Sequence, residues 1–350
     1  MALASPEQFE FFLDAEIWHG SGIAQEKART WFGYLSESGE ERLLEILPRL
    51  DPELLVLFLK REIMVGGGIG DLATDEERLA EWDHTFDNLY YLTFRDRKSA
   101  ELVSRLVDSL FRLAHPLYQG LMEGVKNEFE GELEELSYRF RSGRLADLGF
   151  PSLDEALAIY SPILPERFIP AGDKGTASPC DTGNIPLPAV FSGTSLLDRV
   201  LSRADSDTLN AELQYLINSA LVVEEGAFGD TESAEAVFQR VHGWLNLALE
   251  ELTDGDEEKA LGLVRTEYLK RLLQLGFGII TSLRRKAEKL APDSSNSNYA
   301  TGKLLSGLKS ARPRFYRGLD PDQIDGYREF RTIQDVRIVE ALLGNLANSR

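Results

Sequence analysis

The chain has 350 residues, 43% hydrophobic and 27% charged, with mean hydropathy −0.23 and a formal net charge of −20 at pH 7. That balance belongs to a folded globular chain; it excludes a collagen-like or wholly disordered one, and it argues against a general nucleic-acid binder, which needs a basic face. A lone cysteine, Cys180, excludes an internal disulfide framework and a multi-cysteine metal site. No run of about 18 apolar residues offers a membrane-spanning helix. No positively charged start leads into an apolar stretch, so no signal peptide is expected and the protein reads as cytoplasmic. The charge is uneven: net −13 over residues 1–150, −9 over 151–291 and +2 over 292–350, so an acidic body ends in a mildly basic tail.

The first element along the chain is an internal repeat. Residues 5–23 laid over 51–69, an offset of 46, agree at nine of nineteen positions, among them Pro6/Pro52, Phe12/Phe58, Leu13/Leu59, Glu16/Glu62 and Ile17/Ile63. Each copy opens with a helix signal: Ser5 or Asp51 to cap, then proline where a missing N–H costs nothing. Phe9, Phe12, Leu13 and Ile17 recur at helical spacing, as do Leu55, Phe58, Leu59 and Ile63. Such units predict HEAT-like helix–turn–helix repeats packed against the rest of the chain. The glycine run over 65–71 follows a helix, lacks the G-x-G-x-x-G spacing and echoes Gly20 and Gly22; it is read as helix termination, not a phosphate loop.

Thr74 and Glu77 form a capping box that predicts a helix through Trp82 and Phe86. Helical periodicity runs from about residue 96 to 141 and breaks near His115-Pro116. Ser152 and Glu155 make a second capping box. Six prolines between 162 and 188 then exclude helix over 161–193. Helix returns from 195 to 290 with turns near 226–230 and 253–256; a polar loop at 294–299 and two or three short helices finish the chain. No long alternating strand pattern is present, so the fold class is all-α. Its expected parts are a repeat-like helical region (1–160), a Pro/Gly-rich loop or linker (161–193), a helical region (194–291) and a basic C-terminal helical tail (292–350).

Chemistry-bearing residues are sparse. The four histidines are dispersed, and the best local set, Glu81, His84 and Asp87, holds a single Glu-x-x-His pair where di-iron bundles use two with further glutamates. These three are weak metal candidates; no cofactor is expected. Glu128, Glu132 and Glu135 share a helical face with Glu130 and Glu134 beside them and read as a solvated acidic face, with Glu135 spaced to meet Arg139. The aspartates at 320, 322 and 325 miss calcium-loop spacing. No G-x-S-x-G motif is present, and Cys180 has no basic neighbour closer than Lys174, so nucleophilic catalysis has little support.

Two basic features remain. Lys270-Arg271 and Arg284-Arg285-Lys286 flank an apolar stretch, the pattern of a membrane-surface helix or, more simply, of a buried helix with charged ends. Near the C-terminus Arg312, Arg314, Phe315, Tyr316, Arg317, Arg328 and Arg331 interleave arginine with aromatic residues, the composition of binding hot spots. These seven are the partner-binding candidates. The competing reading folds this positive segment back on the acidic body.

Two resemblances follow from particular stretches. Residues 41–55, Glu41-Arg-Leu-Leu-Glu-Ile-Leu-Pro-Arg-Leu-Asp-Pro-Glu-Leu-Leu55, resemble the helical repeats of magnesium-transporter cytosolic domains and flagellar motor-switch proteins. Pro6-Glu-Gln-Phe with Phe12-Leu-Asp14, Leu148-Gly-Phe-Pro-Ser-Leu-Asp-Glu-Ala-Leu157, and the Arg312-Pro-Arg tail with Tyr327-Arg-Glu-Phe-Arg331 resemble a bacterial family catalogued as domain of unknown function 6178. That resemblance covers most of the chain and implies no activity, cofactor or catalytic residue. The repeat opens at residue 5 with no polar capping unit before it, as expected of a shortened or a naturally short member. The expected function is a non-catalytic cytoplasmic interaction or scaffold protein that meets another protein through helical surfaces; the alternative is a helical small-molecule or metal-dependent enzyme or sensor.

Overall fold

A computed structural model describes residues 4–68, 82–172, 174, 191, 193–204, 207–224, 228–290 and 299–348. Among the described residues helices predominate and three small antiparallel sheets accompany them. The chain divides after Asp147 into two compact units, 1–147 and 148–350, each with its own apolar core.

In the N-terminal unit both repeat copies form the expected opening helix. For α1 (Pro6–Glu16) the Ser5 hydroxyl accepts the Gln8 N–H while the Gln8 side chain accepts the Ser5 N–H, a reciprocal capping box. The start of α4 (Pro52–Glu62) is different: Asp51 makes no cap, and its Oδ2 accepts from Arg144 Nη1 at 2.6 Å. The copies diverge further at their glycines. After α1 the chain closes on itself as a hairpin of β1 (Trp18–His19) and β2 (Gly22–Ile23), turning at Gly20 with φ 60°. After α4 it runs straight into β3 (Ile63–Gly67), which pairs with β5 (Tyr90–Phe94), and β5 in turn with β4 (His84–Thr85).

This sheet corrects the expectation of a helix through Trp82 and Phe86: His84 and Thr85 are strand and Phe86 lies in the bend after it, while the Thr74/Glu77 box is outside the described residues. The physical reason is the aromatic and β-branched run Tyr90-Tyr-Leu-Thr-Phe94, which suits a half-buried pleat and captures both neighbours. Gly67 is then a strand position rather than a helix stop; a Cβ there meets the Leu89 carbonyl at 2.3 Å. The unit also holds α2 (Gln25–Glu37), α3 (Glu40–Ile46), α5 (Ala100–Leu113), α6 (His115–Asn127) and α7 (Glu130–Asp147), of which α6 packs against β3. The break between α5 and α6 falls at Ala114, just before Pro116, where proline opens a new helix.

The C-terminal unit starts with α8 (Leu153–Leu157), closed by the Ser152/Glu155 box. Residues 161–172 then lie along α13 (Leu269–Glu288): Ile163 N donates to Gln274 O at 3.0 Å, Arg271 Nη2 to Ile169 O at 2.8 Å, and Ala171 N to the Glu267 carboxylate at 2.8 Å. The helices α9 (Leu196–Ala204), α10 (Asp207–Val223), α11 (Thr231–Thr253) and α12 (Glu257–Thr266) precede α13, and its apolar stretch is core: Leu272, Leu275 and Ile280 are fully buried. Among α13's charged residues, Arg271 pairs with Glu267, Arg284 with Glu288 and Lys286 with Glu340. Gly276 lets α11 approach, since a Cβ there falls 1.9 Å from the Trp244 carbonyl oxygen. Residues 299–348 share this core through Leu304, Phe315, Phe330, Val336 and Leu343. They hold α14 (Tyr299–Lys309), a hairpin of β6 (Phe315–Tyr316) and β7 (Tyr327–Arg328), and α15 (Ile333–Asn348). No described helix is long and apolar enough to cross a membrane.

Candidate functional site

The arginine–aromatic segment is drawn in two directions. Phe315 and Tyr316 are buried, and Arg328 stacks on the Phe315 ring at 4.0 Å while its guanidinium reaches both Asp320 (Nη2 to Oδ1, 2.6 Å) and Asp335 (Nη1 to Oδ2, 2.8 Å). That contact holds the Asp320 carboxyl below the usual carboxylate range. Arg312 lies 4.9 Å from the Tyr160 ring and bonds Glu224, which also takes Arg240 Nη1 at 2.7 Å. Burial works against the Glu224 anion, but the two guanidiniums outweigh it and hold the carboxyl below its ordinary value. Next to them Glu329, 4% exposed, accepts from Arg240 Nε, and burial pushes its carboxyl up. Arg317 pairs with Asp322. Arg314 and Arg331 are exposed.

Arg331 opens onto a cleft of about 820 Å³ in the C-terminal unit, within the range that holds small ligands or short chain segments. Its wall on one side is the start of α15, with Thr332, Gln334 and Arg337; on the other it is the start of α9, with Thr194, Ser195, Asp198 and Arg199, and between them come Gln239, His242, Glu250 and Asp254 from α11 and its end. The helices explain the placement: His242 and Glu250 lie on one long helix, Ile333 N donates to Glu250 Oε2 at 2.6 Å, and Leu197 N donates to Asn246 Oδ1 at 3.1 Å, so α11 clamps both helix starts.

Ser195, His242 and Asp198 lie together at the α9 end, which invites comparison with a nucleophilic triad. In such a triad the serine and the acid meet opposite ring nitrogens. Here one atom, His242 Nε2, faces both Ser195 Oγ (3.2 Å) and Asp198 Oδ1 (3.0 Å). The Ser195 hydroxyl donates to Asp198 Oδ2 at 2.6 Å and accepts the Asp198 N–H at 3.1 Å. Serine three residues before an acid is a helix cap, and the hydroxyl is held in it. The trio is thus a cap braced by a histidine.

The described residues among the other sequence candidates are engaged locally. His84 stacks edge-on to Phe86, and Asp87 closes a turn, its Oδ1 accepting from Leu89 N and Tyr90 N at 2.8 Å each. Burial, and then the Asp87 charge, push the Tyr118 phenol well up. Glu81 lies outside the described residues, as does Cys180. Among the described residues no three His, Cys, Asp or Glu side chains are placed to hold a metal. From the acidic face, Glu130 and Glu134 both bond Arg61, at 2.8 Å each.

Ser195, Asp198, His242, Thr332 and Arg337 are cleft residues that sequence reasoning did not group. The Ser-x-x-Asp spacing was a readable cap signal, but its meeting with a residue on a helix 44 positions later had no local mark.

The chain belongs to the family of unknown function (DUF6178), whose model matches residues 1–349. No curated protein and no solved structure matches the chain.

Proposed function

We propose that the protein works by binding rather than by catalysis, as an interaction protein that receives a protein partner at the cleft of its C-terminal unit. The observation that carries this is the contrast within the cleft: the groups resembling catalytic machinery are held in a helix cap, whereas Arg331 and Arg337 stand exposed on its rim. Arginine offers five donors in a flat fork and is enriched in binding hot spots. We also read the two opening helices of the N-terminal unit as copies of a HEAT-like repeat that adds a second helical surface, and the protein as cytoplasmic.

The test is affinity capture from the source lysate with the full chain as bait, wild type against Arg331→Glu with Arg337→Glu, after circular dichroism shows equal helix content. A specific partner retained by wild type and lost by the variant is the expected result; partners identical for both baits overturn the assignment to the cleft.

A further inference from the structure

The chemistry of the cleft's partner can be read from which of its polar groups already have one. Two of its three carboxylates are engaged within the unit. Asp198 accepts from the Ser195 N–H, the Ser195 hydroxyl and His242, and Glu250 accepts from Asn246 Nδ2 (2.9 Å) and Ile333 N (2.6 Å). Arg199 is engaged too, with Glu257 at 2.9 Å and the Thr194 carbonyl at 2.6 Å.

What is left over is mostly donor. Among the described residues the guanidiniums of Arg331 and Arg337 meet no acceptor, and neither the Thr332 hydroxyl nor the Gln334 amide has a partner. The nearby Asp320 and Asp335 give their oxygens to Arg328, and Arg331 acts on Asp320 through its charge without a hydrogen bond. Asp335 also takes the backbone N–H of Arg331 at 2.8 Å, which holds the stem of that side chain where it leaves the hairpin. Two free guanidiniums carry ten N–H bonds in planar forks, and the complement of a planar fork is a carboxylate or a phosphate.

The free charge sets the size of that complement. Against Arg331 and Arg337 stands one lining carboxylate with no internal donor, Asp254, at the left-handed end of α11. Asp198 and Glu250 keep their charge while accepting from neutral groups, so the lining sets three carboxylates against three arginines; with no net positive charge the cleft disfavours a polyanion, and its two open guanidinium forks suit one oxyanion group.

We propose that this cleft is an oxyanion site that takes one phosphate or carboxylate group, gripped by Arg331 and Arg337 with Thr332 and Gln334 beside them. The assignment deepens the binding role given above to the same cleft and concerns the group recognised there. The group comes either free or on a peptide segment, and the two sources share this chemistry.

The full chain is titrated with inorganic phosphate, with potassium chloride at equal ionic strength as reference, and the unfolding temperature is followed. Parallel arms use a short peptide with one phosphoserine and its unphosphorylated twin. A saturable rise with phosphate or phosphopeptide beyond the chloride response is expected, with affinity lowered at least about tenfold in Arg331→Gln/Arg337→Gln and partly kept in Arg337→Lys. Tighter binding of the phosphopeptide than of phosphate assigns the group to a peptide, and equal binding to a free anion. No response beyond chloride, or the same response in wild type and the Gln variant, overturns the proposal. Phosphate binding without any captured protein that depends on the two arginines removes the protein-partner role and leaves the oxyanion site. A partner that depends on them without anion binding does the reverse.

Discussion

Arg144 in the N-terminal unit and Arg331 in the C-terminal unit meet the same kind of neighbour, a helix start that carries an aspartate, and end differently. Arg144 reaches across from α7 to hold both Asp14 and Asp51, the latter at the start of α4. Arg331 stands beside Asp335 in the first turn of α15, but Arg328 has taken that carboxylate, and Arg331 supplies only its backbone N–H. The difference teaches that an arginine's role follows from whether its nearest acceptor is already filled. The first arrangement ties segments of one unit together; the second leaves a charged donor facing a cleft.

Substitutions that strip a filled arginine of its acceptor should show the largest effects. Glu62 is fully buried and takes Gln25, Ser99 and the Arg29 fork (2.8 and 3.1 Å). Glu62→Ala is expected to destabilise the N-terminal unit by about 3 kcal/mol, because it strips Gln25, Ser99 and one side of the Arg29 fork of a buried acceptor while Arg29 keeps Glu26 and Asp96; urea unfolding measures this. Arg328→Ala leaves Asp335 and Asp320 unpaired and uncovers Phe315, at a cost of about 3 kcal/mol. The same contact gives a pH dependence. The folded Asp320 carboxyl is held below its ordinary value of 3.8, so its stabilising contribution is full above that value and lost as pH falls through the depressed one. Unfolding free energies at about pH 6 and about pH 3 should differ less in Asp320→Asn than in wild type.

A smaller change separates the two repeat copies. Ser5→Ala removes a working cap and should cost about 1 kcal/mol, whereas Asp51→Ala acts through Arg144 and should lose its effect in an Arg144→Ala background, as a double-mutant cycle would show. The smallest stability effect is expected where the arginines are unfilled. Arg331→Gln with Arg337→Gln should move the unfolding free energy by no more than about 0.5 kcal/mol, and a larger loss would show that these side chains serve the fold.

Much of the helical architecture was legible because it rests on local rules. Ser152 and Glu155, three apart, cap a helix as spaced, and Pro116 opens one where expected. The apolar stretch of α13 proved to be a buried helix with charged ends, the simpler of its two sequence readings. The sheet of the N-terminal unit was missed because β3 and β5 are only five residues each, and their pairing joins Ile63 to Phe94 across a stretch with no alternating pattern. The cleft was half legible. Arg331 was singled out from its neighbours' composition, but the same composition also picked Phe315 and Tyr316, which the structure buries.

The sequence by itself determined the helical class, the helix starts at Pro6, Pro52 and Leu153, the doubled N-terminal helix, the acidic charge and the family, since each is written in residues a few positions apart or in overall composition. Tertiary structure alone decided which arginines are filled and which are left open, and that Ser195, Asp198 and His242 form a braced cap rather than a triad. Those outcomes depend on placement in three dimensions, whether the acceptor lies a few residues away, as Asp335 does from Arg328, or on another helix, as Asp198 does from His242; a shift of an ångström or two changes which acceptor a donor finds, and no local pattern records it.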